Sequence, residues 1–199
     1  MYRKKIAAIM VFGLTMTTCS TPAKAQVAAE EVLTYTMSEP AQQNIIELMQ
    51  TETIRQTLLE AQVAKRELLN QNTLRVKKAV SKLEKHVGKT WYVFSGSTPS
   101  GWDCSGMTLW FYENLGVDLE HRATIQSKSG KPTKKPKLGD IVVFKYHGSK
   151  MAYHVGIYIS HDLMIHSGGK EGDRTEFRSI SGFAGDYSKV SYRTFIETS

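Results

Sequence analysis

From Ala41 to Val87 the chain contains neither glycine nor proline and is rich in Glu, Gln, Lys, Arg, Leu and Ala. A stretch of that length and composition is confined to helix, because these residues lose the least rotamer freedom there and nothing breaks the backbone ladder. The apolar positions Ile45, Ile46, Leu48, Met49, Ile54, Leu58, Leu59, Val63, Leu68 and Leu69 cluster on a face, but Glu52, Arg55 and Gln62 interrupt the heptad positions. The spacing therefore predicts one long helix or two, packed on the following domain or on a protein partner, and not a regular coiled coil. Val76, Val80, Leu83 and Val87 then recur at helical spacing until Gly88 stops the run, so a helical extension over 41–72 is expected to lead into a domain over 73–199.

Helices come first in that domain and strands second. Trp91-Tyr92-Val93-Phe94 is a short apolar run, Ser95 to Gly101 is rich in turn residues, and Met107 to Leu115 has amphipathic helical spacing. Ser127 to Lys137 is polar and lysine-rich, as a solvated loop would be. Ile141–Tyr146, Tyr153–Ile159, Leu163–His166 and Val190–Ile196 read as strands, with His161-Asp162 as a turn. This order predicts an α+β domain with helices packed on an antiparallel sheet. At 41% apolar and 10% aromatic, the 199 residues can fill one core.

The N-terminus has the three parts of a secretory signal peptide: basic Arg3-Lys4-Lys5, an apolar run from Ile6 to Leu14, and small-x-small Ala23-Lys24-Ala25. Cleavage after Ala25 would leave a tether over 26–40, a secreted or envelope protein, and no transmembrane anchor in the mature chain, since the apolar run is too short to span a bilayer. Lipid modification at Cys19 is the alternative, disfavoured by Met16-Thr17-Thr18 before it. Four of the 26 basic residues lie in 1–25, and the remaining 22 stand against 19 acidic residues, a balance that does not call for nucleic acid.

Loss of Cys19 would leave Cys104 as the lone thiol of an exported protein, a reactive-cysteine candidate. It stands where a loop becomes a helix, beside unpaired N–H groups and the positive end of the dipole, which favour thiolate. A small buried apolar residue is the competing reading. His154 and His166 fall in consecutive strands, and the period of two puts His154 with Gly156 and Tyr158, opposite the aliphatic Val155, Ile157 and Ile159. Antiparallel pairing would bring His166 beside it, supplying a base for a thiol and a group to orient that base. His86, His121, His147 and His161 are read as structural. Zinc is disfavoured by the lack of closely spaced Cys or His ligands, so no metal or cofactor is expected.

Several motifs together resemble the NlpC/P60 cell-wall peptidases, papain-like cysteine enzymes of bacterial peptidoglycan. They are Tyr92-Val93-Phe94-Ser95-Gly96, Asp103-Cys104-Ser105-Gly106, Leu138-Gly139-Asp140-Ile141-Val142, His154-Val155-Gly156-Ile157-Tyr158 and Met164-Ile165-His166, in the family's order over about Val76 to Ile196. The resemblance implies Cys104 as nucleophile, His154 as base and then acid, and His166 as the orienting residue. It further implies Tyr92 at the oxyanion, and Asp103 and Ser105 binding the free amine of a stem peptide, although Asp103 reads equally well as a helix cap. Ser95 replaces a glycine, His121 stands where arginine is common, and Leu138 replaces a proline. The expected activity is hydrolysis of amides in peptidoglycan stems or cross-links. An amidase or acyltransferase on the same fold, and a non-catalytic wall or secretion-apparatus component, are the alternatives.

Overall fold

The computed structural model describes residues 38–199, so the signal peptide, Cys19 and the tether up to residue 37 lie outside the described residues. Helix α1 runs without a break from Glu39 to Glu84, through residue 72, and contacts divide the chain into compact units on either side of Leu59 and Glu60. In the first unit Ile46, Leu48, Met49, Ile54 and Leu58 are exposed. Among the described residues no helix is long and apolar enough to cross a membrane.

The second unit holds the expected α+β architecture. After α1 come the two-residue strands β1 (Ser97–Thr98) and β2 (Gly101–Trp102), then α2 (Cys104–Glu113) and α3 (Ala123–Gln126). Strands β3 (Lys131–Thr133), β4 (Ile141–Tyr146), β5 (Ala152–Ser160), β6 (Leu163–Ser167) and β7 (Thr175–Ser179) precede α4 (Ile180–Ala184), a 3-10 turn (Gly185–Tyr187) and β8 (Ser188–Thr194). The six longer-range strands form one antiparallel sheet in the order β3-β8-β4-β5-β6-β7.

Alternation along the central strands divides the core in two. Ile141, Val143, Val155, Ile157 and Ile165 face the helices, where Val76, Val80 and Leu83 of α1 meet Met107, Phe111 and Tyr112 of α2. Val142, Phe144 and Met164 face the opposite side, under Ile180 and Ala184 of α4 with Phe183 packed alongside. Burial on both faces explains why β4 begins as an unbroken apolar run.

Two strands differ from expectation. Lys131–Thr133, read as a solvated loop, is an edge strand paired with β8, and Thr175–Ser179, not recognised as a strand, forms the opposite edge beside β6. Both are polar and lack an apolar alternation, because edge strands carry charge and can accept a proline such as Pro132. Leu83 is fully buried between the helices, so Leu83→Ala is expected to destabilise the protein by roughly 2–5 kcal/mol in urea titration.

Candidate active site

The segment that delivers Cys104 is fixed before the helix begins. Trp102 is fully buried, its indole N–H donates to Thr175 Oγ1 at 2.7 Å, and its carbonyl accepts from Val93 N–H at 3.1 Å and the Ser167 hydroxyl at 2.9 Å. Asp103 then caps α2 with extended backbone. Its Oδ1 accepts from Gly106 N–H at 2.7 Å, the Ser105 hydroxyl at 2.9 Å and His121 Nε2 at 3.0 Å, and its Oδ2 accepts from Ser95 N–H at 3.1 Å. Since a carboxylate here only accepts, His121 Nε2 carries its proton. His121, read from sequence as merely structural, thus joins the cap of the Cys104 helix.

Glycine at 106 follows from this packing, since a Cβ there would lie 1.9 Å from the Gly96 carbonyl oxygen and 2.9 Å from His121 Nε2. Ser95 has φ +58°, a left-handed conformation that suits the glycine it replaces in the family pattern.

Cys104 opens α2, with N–H groups of Val155, Ser105 and Cys104 itself acting on the sulfur. The expected thiolate is nevertheless not the resting state. Burial pushes the thiol up to about 11, with a smaller push from the Asp103 charge, and together these outweigh the three N–H groups. The helix start lends a fraction of a charge, whereas removing a sulfur anion from water costs more. Among the described residues no hydrogen bond joins the Cys104 sulfur to His154.

The two histidines do meet. His154 lies where β4 and β5 shift register between Phe144 and Lys145, and such a bulge re-aims side chains. Its Nε2 lies 2.9 Å from His166 Nδ1, and both rings pack against Phe183 at centroid distances of 4.6 and 5.0 Å. Gly156 makes room, since a Cβ there would come 3.3 Å from His166 Cβ. Burial, reinforced by His166, holds the His154 imidazole down at about 3, so the ring is neutral at rest. His166 is also lowered by burial, against the opposing pull of Glu176.

Glu176 escaped the sequence reading. Its Oε1 lies 3.2 Å from His166 Nε2, directly across from His166 in the β6–β7 register. No signal marked it, because its position depends on a strand that the sequence pattern does not reveal.

Tyr92 is held by its N–H, which donates to the Asp173 carbonyl at 2.8 Å, while the Arg174 guanidinium lies 3.8 Å over the neighbouring Trp91 ring. Burial, and after it the charge Cys104 would carry if ionised and those of Asp103 and Asp173, raise the Tyr92 phenol above its ordinary range and keep it a proton donor. Ser105 is buried and spends its hydroxyl on Asp103. Beside His166 a cleft of about 530 Å³ is bounded by Lys170, Asp173, Arg174, Glu176 and Phe183. Among the described residues no group of three or more His, Cys, Asp or Glu is arranged to hold a metal ion.

A sheet bearing a bonded imidazole pair, with a cysteine-headed helix packed on it, defines the papain-like α+β class. The chain belongs to the NlpC/P60 family, whose sequence pattern matches residues 88–194. A probable endopeptidase of Mycobacterium tuberculosis is 36% identical over 78 residues, 38% of this chain and 19% of that protein. A gamma-D-glutamyl-L-lysine dipeptidyl-peptidase of Bacillus cereus is 34% identical over 79 residues, 38% of this chain and 24% of that protein. The chain thus spans about a fifth to a quarter of those relatives. Among solved structures, the NlpC/p60 domain of the peptidoglycan hydrolase SagA matches with TM-score 0.51 and 28% identity over 60% of this chain and 98% of that one. RipD of Mycobacterium tuberculosis, described as a non-catalytic NlpC/p60 domain protein, shares the fold with TM-score 0.51 and 15% identity over 61% of this chain and 98% of its own.

Two outcomes follow from these geometries. Ser95→Gly relieves a left-handed serine and is expected to stabilise the protein by up to about 1 kcal/mol in chemical denaturation. Below about 11 the thiolate fraction of Cys104 falls tenfold per pH unit. Iodoacetamide should therefore label the substrate-free protein more slowly at pH 7 than it labels free cysteine, with the rate still climbing above pH 9; a plateau below pH 7 would show that burial does not control the thiol.

Proposed function

We propose that this chain is an exported cysteine peptidase that hydrolyses amide bonds in peptidoglycan stem peptides or cross-links. The observation that carries the reading is the His154–His166 hydrogen bond on the sheet against which the Cys104 helix packs. The endopeptidase and dipeptidyl-peptidase names of the relatives support the reaction class. Residues 1–25 serve as the export signal, and the exposed apolar side chains between Ile46 and Leu68 offer a surface to a protein partner.

Both reacting groups start neutral, so ionisation belongs to the catalytic step itself. As the Cys104 sulfur adds to the scissile carbonyl, His154 Nδ1 takes the thiol proton, and the imidazolium forms only when the developing oxyanion is there to balance it. The Cys104 N–H and the Tyr92 hydroxyl stabilise that oxyanion. His154 then returns the proton to the leaving amine, and a water activated by the same ring cleaves the thioester.

Asp103 and Ser105 mark the end of the peptide. Four donors hold the carboxylate, two oxygens offer about four acceptor positions, and three of the bonds crowd onto Oδ1. Oδ2 keeps capacity for a substrate ammonium, a charge-assisted bond that favours stems with a free amine.

A wall-binding protein without catalysis is the second reading, favoured by the shared fold of RipD. The retained Cys104, His154 and His166 weigh against it. Defined muropeptides incubated with the full chain should yield fragments whose masses identify the bond cut and separate peptidase from amidase or acyl-transfer products. Cys104→Ala is expected to abolish turnover with the fold intact, and His154→Ala to reduce kcat by at least about 10³-fold. Undiminished cleavage by Cys104→Ala would sink the proposal.

A further inference from the structure

We propose that Glu176 is a positioning residue that fixes the tautomers of both histidines, so that the face of His154 turned away from His166 carries a lone pair and can act as a base. This rests on the peptidase reading above, and follows from donor and acceptor roles alone.

An ionised carboxylate accepts hydrogen bonds and donates none. At 3.2 Å from Glu176 Oε1, His166 Nε2 therefore carries a proton. In a neutral ring the other nitrogen is then an acceptor, so His166 Nδ1 offers a lone pair. His154 Nε2 lies 2.9 Å from that lone pair and must donate to it. His154 consequently keeps its proton on Nε2 and leaves Nδ1 bare.

Reversing the first link reverses them all. A donor in place of the carboxylate moves the His166 proton to Nδ1, makes His154 Nε2 an acceptor, and puts a proton on the nitrogen that must receive one from Cys104. The His154–His166 contact by itself is compatible with both directions. Glu176 is the charged group placed to break the symmetry.

The neighbours allow this role. His166 meets His154 from β5, Glu176 from β7, the backbone of Ser167 on its own strand and the uncharged ring of Phe183 from α4, while Arg178 lies 3.6 Å from Glu176 Oε1. Across the cleft Lys170 and Arg174 are positive, and the Asp173 Oδ2 already accepts from Gly169 and Lys170 N–H at 2.9 and 3.1 Å. Glu176 is half-exposed, so substituting it removes no core packing. Its charge also favours the imidazolium that His154 becomes during attack, through the polarised ring between them.

The test combines histidine-15N NMR with kinetics on the full chain, comparing the unsubstituted protein with Glu176→Gln and Glu176→Ala. Protonated and bare ring nitrogens have well-separated 15N shifts, so the tautomers are read directly, whether or not a peptide is cleaved. The unsubstituted protein should show both histidines protonated on Nε2. In Glu176→Gln, whose amide can turn either face to the ring, part of each population should move to the Nδ1–H form. On a cleaved muropeptide kcat should fall by at least about tenfold with little change in KM, as for other wrong-tautomer defects. The acid limb of kcat/KM should move to lower pH, because losing a negative charge makes the imidazolium harder to form. Unchanged Nε2–H tautomers in both variants would overturn the proposal, whatever the activity. Absence of cleavage by the unsubstituted protein would instead defeat the peptidase reading, leaving the tautomer result to stand by itself.

Discussion

The Asp103 carboxylate is the point on which the candidate site depends. It accepts four hydrogen bonds from three separate stretches: the Ser95 loop, the first turn of α2 and the His121 segment. Each bond is a charge-assisted contact to a backbone or side-chain donor, stronger than its neutral counterpart. Together they set where the helix begins, and so where the sulfur sits. The same carboxylate raises the thiol slightly, so the anchor of Cys104 also opposes its ionisation. Burial of Trp102 and the backbone contact between Gly96 and Gly106 complete the clamp, at positions where any larger residue would collide.

Desolvation decides the electrostatics of the site. The sulfur and the His154 imidazole are each pushed towards their uncharged forms, the first up and the second down, and in both cases burial is the largest cause. An ion pair at rest would require two charges to be stripped of water for one Coulomb contact, which seldom repays the cost. In the proposed reaction, preorganised donors around a carbonyl would shift that balance only when its oxygen begins to carry charge. On that proposal the polar groups are arranged for the reacting state and not for the empty one.

Much of this was legible in the residues. Motif order and the Gly- and Pro-free stretch identified the helix-then-sheet layout, and period-two alternation placed His154 opposite the aliphatic face, where it is found beside His166. What could not be read depends on partners distant in sequence. Glu176 gains its role by lying across from His166 on an edge strand of polar residues, and edge strands have no buried face to write into the sequence. His121 is 18 residues from the carboxylate it bonds, joined only through the loop that turns back to α2. The protonation of Cys104 failed to follow from its place at a helix start because local dipoles are visible in sequence and burial is not.

A sulfur kept protonated by burial is also a poor target for peroxide, which attacks the anion far faster than the neutral form. The thiol would then resist conversion to sulfenic and sulfinic acids. The same burial that holds the proton on Cys104 thus also shields the sulfur from oxidation.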